Sequence, residues 1–378
     1  MRVVIYESSS HGGCFEYAKE VHKAFTAHPE VDYCEMVVPV NTNLNANSIY
    51  QVLYDDLKNF KYALIRKIYF MARSILNPLI LFLFLINRRS SLVIMNDFEQ
   101  LLAFIWVPLF KLFLRKHYFS VVLHDPDRDN YPPSKQFSVF SMKIMMSLMN
   151  LGLYHENLPG KIYYKGSKTN YLNVPHGIFD AASQDHDFAN ELTCRIGEEF
   201  QSISIIGNIR REKNYDLAIK ALVKFPNLKL IIAGKAANKD VDIESYKLLA
   251  ESLNVSSRII WMEKFLTDRE LSSIVQVSDI ILLNYARSFK SQSGILNLIA
   301  PFKKKVIVSK GESGLHHLVK RFNLGVLVET DNLTSLIEGI SISQKSDFTE
   351  KWIKYLEYAS WKNLSEIVLA AYKEQPKT

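Results

Sequence analysis

The residue types best suited to chemistry are concentrated in residues 207–214, which read Gly-Asn-Ile-Arg-Arg-Glu-Lys-Asn. The segment follows an apolar run and precedes a stretch of helical periodicity. Free backbone N–H groups at such a helix start, with cationic side chains beside them, suit a diphosphate. The cations here are Arg210, Arg211 and Lys213. A solvated basic turn explains the same residues, so the segment by itself leaves both interpretations open.

A second polar segment begins at His124, at the end of another apolar run. The loop continues through Asp125, Asp127, Arg128 and Asp129. This acidic loop predicts a polar cleft, although a single His at a strand end is also typical of a structural role. We expect no metal site, because the carboxylates lack supporting His ligands.

A third segment follows the first apolar run of the chain and contains His11, Gly12 and Gly13. Two consecutive glycines would let the backbone approach a ligand closely. A plain glycine turn leading into a helix explains the same residues.

The three segments fall within a pattern that alternates β-branched runs with helical periodicity, which indicates parallel sheets with crossover helices. We predict strands at residues 2–6, 92–95, 120–123, 202–206, 229–233, 258–261, 280–283, 305–308 and 325–328. We predict helices at residues 15–27, 214–224, 243–253 and 348–373. Ligands of open parallel sheets bind beyond the carboxyl ends of the strands, where these loops lie.

The length of 378 residues suits two domains, and 48% hydrophobic with 22% charged residues is typical of globular chains. Because the pattern restarts near residue 178, we predict an α/β chain with two doubly wound Rossmann-like domains, residues 1–178 and 179–359. The last helix, residues 360–378, is expected to pack back onto the first domain. Three dispersed Cys exclude a disulfide framework, and the N-terminus lacks a secretory signal pattern, so we expect a cytoplasmic location.

The net charge of +7 is concentrated in residues 57–117, which also carry apolar runs at 75–86 and 101–114. We expect Pro78, Pro108 and flanking charges to interrupt these runs, so that neither reaches the length of a membrane-spanning helix. Apolar faces rimmed by Lys and Arg predict helices at an anionic membrane surface. A core helix followed by a solvated basic helix is the alternative. Nucleic acid is not expected, because no recognition-helix or aromatic-basic strand pattern accompanies the charge.

Several short motifs follow one another along the chain in a characteristic order. After residues 207–214 come LKLIIAG at 228–234, DIILL at 279–283, KVIVS at 305–309 and GESG at 311–314. Together with Gly12-Gly13 and the VPHG turn at 174–177, this order resembles the retaining glycosyltransferases of family 4. The resemblance covers nearly the whole chain, with residues 57–114 matched loosely. It implies the GT-B fold, with two domains facing a central cleft, and sugar transfer from a nucleotide-sugar donor, usually without a metal.

The resemblance also implies roles for residues of the second domain. Lys213 falls on the lysine that neutralises the departing diphosphate, a transition-state role. The family usually has an arginine directly after Gly207, where this chain has Asn208. Arg210 is the nearest substitute and Arg211 the next.

In the first domain, His124 falls on a histidine that contacts the donor sugar near its reacting carbon. By the same resemblance His11, Gly12, Gly13 and Asp125 form a loop on the acceptor side.

The stretch after residue 283 departs from the family pattern. Two Glu separated by seven residues are usual there, whereas residues 284–297 contain no carboxylate. Gln292, Ser293 and Gly294 still resemble a helix N-terminus whose N–H groups would hold the diphosphate, and Asn297 would hydrogen-bond the ribose. The chain is therefore either a diverged active transferase or an inactive relative.

We predict a retaining, metal-independent glycosyltransferase that moves a sugar from a UDP- or GDP-linked donor to a lipid-linked or oligosaccharide acceptor. Its expected setting is surface polysaccharide or glycolipid synthesis, on the cytoplasmic face of the membrane and without a cofactor. A non-catalytic GT-B partner of an active transferase is the alternative that the missing Glu pair leaves open. A sugar-nucleotide epimerase of the same architecture would need acids near the donor sugar, which the sequence does not show.

Overall fold

A computed structural model describes residues 1–42, 44, 46–55, 60–129, 133–237, 241–289 and 293–374. The chain divides into two compact units. Unit 1 consists of Met1–Gly177 together with the segment that begins at Ser360, and unit 2 is Ile178–Ala359. The sequence pattern places this division one residue further along the chain.

Unit 1 is built on a parallel sheet that has seven strands in the described part of the chain, in the order β3-β2-β1-β4-β5-β6-β7. The strands are β1 Arg2–Tyr6, β2 Tyr33–Pro39, β3 Ile49–Leu53, β4 Leu92–Met95, β5 Tyr118–Leu123, β6 Leu151–Tyr154 and β7 Asn170–Asn173. Its first helices are α1 Gly12–Thr26, α2 Ala63–Ile86, α3 Ala103–Phe113, α4 Lys135–Met146 and α5 Ile162–Lys165.

Unit 2 is built on a parallel sheet with six described strands, in the order β10-β9-β8-β11-β12-β13. The strands are β8 Gln201–Ile206, β9 Leu228–Ala233, β10 Ile259–Met262, β11 Ile280–Leu283, β12 Lys305–Ser309 and β13 Gly325–Val328. The helices are α6 His186–Ile196, α7 Tyr215–Ala221, α8 Ile243–Ser252, α9 Asp268–Val277, α10 Gly294–Ile299, α11 Gly314–Phe322, α12 Leu333–Lys345 and α13 Thr349–Tyr358. The final helix, α14 Trp361–Lys373, belongs to unit 1.

Both faces of each sheet are covered by helices, as a parallel sheet requires. In unit 1, Val3 and Ile5 of β1 pack in the cluster that includes α1 and α14, whereas Val4 and Tyr6 pack in the cluster that includes α2, α3 and α4. This alternation follows from the two-residue period of a strand. It explains why the central strands read as continuous apolar runs in the sequence.

Helices α2 and α3 correct two expectations. α2 is 24 residues long and passes through Pro78, and α3 passes through Pro108, so neither proline interrupts its helix. Pro78 removes one backbone hydrogen bond, but Asn77 beside it is buried and accepts a hydrogen bond from the Tyr54 N–H at 2.7 Å. Tertiary contacts therefore hold α2 in place across the proline. By length and composition α2 is also long and apolar enough to cross a membrane.

The nine predicted strands are all present, with ends within two residues of those expected. Four strands of unit 1 have no counterpart among the predictions: β2, β3, β6 and β7. The helix predicted over residues 348–373 is two helices, because α13 ends at Tyr358 and Ser360 caps α14 by accepting from the Asn363 N–H.

The chain order reverses beside the first strand of each unit, between β1 and β4 in unit 1 and between β8 and β11 in unit 2. Ligands of open parallel sheets bind at such a switch point, beyond the carboxyl ends of the strands. Ligand-binding residues are therefore expected in the loops that follow β1, β4, β8 and β11.

Candidate active site

The turn after β8 is built on two glycines. Gly207 has a φ of +85°, which favours glycine, and a Cβ there would lie 3.0 Å from Ile295 Cδ1. Gly234, at the end of β9, lies against this turn, because a Cβ on it would be 2.3 Å from the Gly207 carbonyl oxygen. Larger residues at either position would displace the loop that follows β8.

That loop turns Lys213 back toward the end of β8. A short 3₁₀ turn spans Arg211–Lys213, and the Lys213 Nζ donates a 2.6 Å hydrogen bond to the Ile206 carbonyl. The side chain is 8% exposed. Burial, with a smaller contribution from the Arg210 guanidinium, lowers the pKa of Lys213 to about 7. A bound anion would favour the charged form of this amine.

The loop after β11 forms the facing wall. The rings of Tyr285 and Phe289 stack with centroids 3.9 Å apart and planes 12° apart. The Tyr285 hydroxyl lies 3.0 Å from Ser293 Oγ, and both side chains are buried. The Ala286 N–H donates to the Glu212 carbonyl at 2.7 Å, which joins this loop to the one that carries Lys213.

The two loops enclose a cavity of about 470 Å³, within the usual range for small-molecule sites. It combines two cationic side chains with aromatic rings and a backbone turn, which suits a phosphorylated ligand that also presents a sugar or a base. Its described lining consists of Gly207, Asn208, Arg210, Glu212, Lys213, Tyr285, Ser288, Phe289, Ser293, Gly294 and Ile295. The residues that the structure describes include no group of three or more His, Cys, Asp or Glu placed to hold a metal ion.

Most of the donor-side residues named from the sequence come together here. The structure places Gly207, Asn208, Arg210, Lys213, Ser293 and Gly294 in the wall of one cavity. Gln292 lies outside the described residues.

Asn297 and Arg211 lie elsewhere. Asn297 is buried, and its Oδ1 accepts a 3.0 Å hydrogen bond from the hydroxyl of Tyr355 on α13. Arg211 is exposed and acts electrostatically on Tyr246 of α8. Neither residue lines the cavity, because α10 and the 3₁₀ turn carry these side chains toward neighbouring helices. The predicted ribose contact of Asn297 stays a prediction, and in this structure its Oδ1 is engaged by Tyr355.

Five lining residues had no role assigned from the sequence: Glu212, Tyr285, Ser288, Phe289 and Ile295. Glu212 is the one carboxylate in the described lining, and its position between Arg211 and Lys213 was the available signal. Tyr285 and Ile295 follow β11, and only the pairing of β8 with β11 brings them to the loop after β8.

The corresponding edge of unit 1 is acidic. Glu7 follows β1, and Asp97 and Glu99 follow β4; Glu7 and Glu99 are buried. The Tyr6 hydroxyl donates to Glu99 Oε2 at 2.6 Å, and Ser8 Oγ donates to Asp97 Oδ2 at 3.0 Å. These carboxyls had no role assigned from the sequence, because residues about ninety positions apart meet only through the pairing of β1 with β4.

Burial keeps part of this acidic group protonated near neutral pH. Desolvation, with a smaller contribution from the nearby Asp97, raises the pKa of Glu7 to about 8 and that of Glu99 to about 7. Arg73 of α2 supplies a cation at this edge, and its Nη2 donates to the Ser8 carbonyl at 2.6 Å.

His124 is joined to the acidic group through Asn96. Its Nε2 lies 3.1 Å from Asn96 Oδ1, and the Asn96 amide donates to a carboxylate oxygen of Glu7. Burial, followed by the neighbouring His155 and His176, holds the pKa of His124 well below its usual range. His124 is therefore a neutral imidazole at physiological pH.

Tyr17 of α1 is the centre of an aromatic and histidine cluster that the spacing of its residues in the chain did not predict. Its ring lies 4.6 Å from His124, 5.5 Å from His155 and 5.3 Å from His176, between ring centroids. Trp361 of α14 is 5.0 Å away on the same basis, so the last helix packs directly on this cluster.

The remaining residues named for unit 1 lie at the same edge. Gly12 and Gly13 form the first turn of α1 instead of the loop expected there, and a Cβ on either would meet nothing within 4 Å. His11, directly before them, is exposed. Asp125 is exposed too, and its carbonyl accepts from Arg128 Nε at 2.9 Å.

The rest of the acidic loop is neutralised by a lysine. Lys161 Nζ lies 2.9 Å from Asp127 Oδ1 and 2.8 Å from Asp129 Oδ2. These two carboxylates raise the pKa of Lys161. Asp127 and Asp129 thus have a structural partner within unit 1.

Part of the chain is similar to known glycosyltransferases in amino-acid sequence. Residues 195–357 match the family model described as Glycosyl transferases group 1. The D-inositol 3-phosphate glycosyltransferase of Mycobacteroides abscessus is 22% identical over 177 residues, which are 46% of this chain and 39% of that protein. The match thus spans about two fifths of the curated relative's length.

Solved structures resemble the whole chain. A glycosyltransferase from Rickettsia africae superimposes with a TM-score of 0.68 at 15% identity, covering 99% of this chain and 98% of its own. HepE of Anabaena, solved in complex with UDP, superimposes with a TM-score of 0.66 at 13% identity, covering 99% and 100%.

The protein therefore has the GT-B fold, with two Rossmann-like α/β units on parallel sheets, and the fold prediction is confirmed. Within it, residues 195–357 of unit 2 are the part that is similar to the glycosyltransferase group 1 family model.

Proposed function

We propose that this protein transfers a sugar from a nucleotide-sugar donor whose diphosphate binds in the unit 2 cavity. The observation that carries the proposal is the buried amine of Lys213 in the cavity wall, with Arg210 beside it. A buried cation without a counter-ion is costly, and a diphosphate would compensate for its charge. As the sugar leaves, negative charge grows on the phosphate, and a cation already in place stabilises that change without reorganisation.

The finer details of the reaction extend the resemblance to family 4. We propose transfer with retention, without a metal, to a lipid-linked or oligosaccharide acceptor in surface polysaccharide or glycolipid synthesis on the cytoplasmic face of the membrane. The acidic edge of unit 1 would receive the acceptor, because the partly buried Asp97 offers carboxyl oxygens to sugar hydroxyls. His124 and the open space over Gly12 and Gly13 belong to the same edge.

The test is thermal stabilisation of the full chain by UDP, GDP, CMP and their sugar conjugates. HepE has been solved with UDP, which makes the uridine compounds the first choice. We expect one nucleotide to raise the melting temperature of the native protein and to have no effect on Lys213→Ala. Lys235→Ala is the matched control, since Lys235 is exposed and does not line the cavity.

Two results would count against the proposal. An unchanged melting temperature with every nucleotide would leave the cavity without its proposed ligand. A shift that persists in Lys213→Ala would remove the phosphate role of that lysine.

A non-catalytic GT-B protein that partners an active transferase is the second candidate. It is favoured by the lack of any carboxylate in residues 284–297 and by the presence of Ser288 and Phe289 in the cavity wall. Nucleotide binding without donor hydrolysis or transfer, together with retained binding to a transferase, would establish it.

A further inference from the structure

Helix α2 has an outer stripe that is apolar along nearly its whole length. The stripe consists of Ile65, Ile68, Ala72, Leu76, Leu79 and Leu83, which recur at helical spacing. Ile68 is 58% exposed and Leu83 is 67% exposed. A surface helix of a globular domain normally carries polar residues on its outward face. The 18 residue-to-residue steps from Ile65 to Leu83 span about 27 Å.

Helix α3 widens this apolar surface. Its residues Phe104, Ile105, Leu112 and Phe113 are exposed, and the Phe113 ring lies 6.1 Å from that of Phe82 on α2, between centroids. The outer stripe and these four residues form what we call the outer patch. Exposed apolar surface of this extent marks an interaction site in a soluble domain.

The charged residues of α2 and of the segments that flank it have one sign. Residues 57–96 contain seven Lys and Arg and no Asp or Glu. At one end of α2, Arg66 and Lys67 are exposed, and beyond its other end Arg89 is exposed as well. An apolar surface flanked by cations matches a bilayer interface that carries anionic headgroups. A second copy of this chain fits less well, because an isologous contact would bring the same cations together.

We propose that the outer patch docks this protein onto a lipid bilayer that contains anionic lipid. Helix α2 lies on the membrane and does not cross it, because its other face is committed to unit 1. Leu81 and Leu85 are fully buried, and Asn77 Nδ2 donates to Glu99 Oε1 at 3.3 Å. A spanning helix would have to give up these contacts and carry Asn77 into hydrocarbon.

Docking would hold the acidic edge of unit 1 close to the lipid headgroups. On α2, Arg73 donates to the Ser8 carbonyl, and the Tyr69 hydroxyl donates to the Asp55 carbonyl at 2.7 Å. The loop after β1 is thus one side chain away from the docked helix. The head of a lipid-linked acceptor would reach that loop without leaving the membrane interface. This consequence rests on the proposed function, whereas the docking of α2 to the bilayer does not depend on it.

The test is flotation of the full chain with vesicles of phosphatidylcholine, with and without 30% phosphatidylglycerol. We expect binding to the anionic vesicles, weakened by 0.5 M salt. The variant Ile68→Ser/Leu76→Ser/Leu83→Ser should lower the partition coefficient by roughly 100-fold or more, because it removes three apolar side chains from the interface. Arg66→Ser/Lys67→Ser should lower it roughly ten- to thirty-fold.

The matched controls are exposed residues of unit 2. Val223→Ser/Leu248→Ser/Ile342→Ser removes three exposed aliphatic side chains, and Lys224→Ser/Lys345→Ser removes two exposed cations. Neither control should change vesicle binding. Leu83→Trp adds apolar surface and should strengthen binding, which keeps the test decisive if the triple variant folds poorly.

Equal binding of the native chain and the outer-patch variants would overturn the proposal. So would a stable dimer in solution that the triple variant converts to a monomer, because a second copy would then cover the patch. Nucleotide-induced stabilisation, measured in parallel without lipid, reports on the unit 2 cavity alone and distinguishes failure of docking from failure of the proposed function.

Discussion

The switch-point edges of the two units have the same topology and opposite charge. In unit 2 the edge holds the buried amine of Lys213 with Arg210 beside it. In unit 1 it holds the buried carboxyls of Glu7 and Glu99, with Asp97 next to them. Both sheets reverse their strand order at this place. The fold therefore sets where a ligand binds, and the residues of the loops determine which ligand it is.

Burial acts on both edges in the same physical way, since it disfavours the charged form of every group. It lowers the pKa of Lys213 to about 7 and raises that of Glu7 to about 8. An anion would return Lys213 to its charged form. Hydroxyl groups, which donate hydrogen bonds, would suit the partly buried carboxyl group of Asp97 at the same edge. The comparison thus favours a phosphorylated ligand on unit 2 and a polyol on unit 1.

The largest effect should come from removing the cation of unit 2. Lys213→Ala should lower turnover roughly ten- to thousand-fold while the chain stays folded, because stabilisation of the leaving phosphate is lost. Sugar transfer by purified protein is the measurement, with Lys235→Ala alongside. If Lys213→Ala turned over as fast as the native protein, Lys213 would not be the cation that stabilises the leaving phosphate, and the proposed difference between the edges of unit 1 and unit 2 would be wrong.

Nucleotide-sugar binding should weaken as the pH rises above about 7. The pKa of free Lys213 is about 7, and a bound diphosphate raises it, so binding above that pH takes up a proton. The association constant should fall by up to about tenfold per pH unit between pH 7.5 and 8.5, with little change below pH 6.5. Calorimetry with the nucleotide-sugar selected by thermal stabilisation measures it.

Lys213→Arg is the control for this pH dependence, because a guanidinium keeps its charge throughout the range. A native protein whose affinity is as flat with pH as that of Lys213→Arg would contradict the assignment.

Unit 1 should show a stability maximum at mildly acidic pH. The pKa of Glu7 is raised from 4.5 to about 8, so its contribution is fully present below pH 4.5 and is lost as the pH rises through 8. The pKa of His155 is lowered from 6.5 to about 3, so its contribution is present above pH 6.5 and is lost as the pH falls toward 3. We expect an alkaline loss of roughly 1–3 kcal/mol from Glu7.

Hydrogen exchange of β1 between pH 5 and pH 8.5, corrected for intrinsic rates, measures this loss within unit 1. Glu7→Gln should flatten the alkaline side and leave the acidic side unchanged. His155→Asn should do the reverse. A profile that neither substitution alters would refute the charge assignment of this edge.

The smallest effect should come from removing metal ions. The described cavity lining holds one carboxylate, Glu212, and Lys161 already pairs with Asp127 and Asp129. Turnover in EDTA should therefore stay within about twofold of the untreated rate, given that structural metal sites need several ligands. A strict requirement for Mg²⁺ or Mn²⁺ in the transfer assay would contradict the prediction that neither edge holds a catalytic metal.

The sequence predicted strands best where they are buried on both faces. Strands such as β4 and β11 are continuous apolar runs and match their predicted bounds, Leu92–Met95 and Ile280–Leu283. Strand β7 begins and ends with Asn at the edge of its sheet, and β2 carries Glu35 in its interior, so neither shows an unbroken run. Pairing with neighbouring strands, and not local preference, makes these segments strands.

The site was predicted in part for a similar reason. Gly207, Arg210 and Lys213 share one short loop, and a local motif is visible in sequence. Tyr285 reaches the same cavity only because β11 pairs with β8, and Asn297 turns away because α10 packs beside α13. Side-chain direction depends on neighbours that the local sequence does not specify.

The amino-acid sequence by itself determined the alternation of strands and helices, the division near residue 178 and the basic glycine-bearing loop that begins at Gly207. Each is a short-range pattern, set by the period of the backbone and by residue type. Only the tertiary structure decided that Lys213 is buried, that Glu7 meets Glu99 and that α2 exposes an apolar stripe. These depend on desolvation and on contacts between segments far apart in the chain, and packing alone brings such segments together.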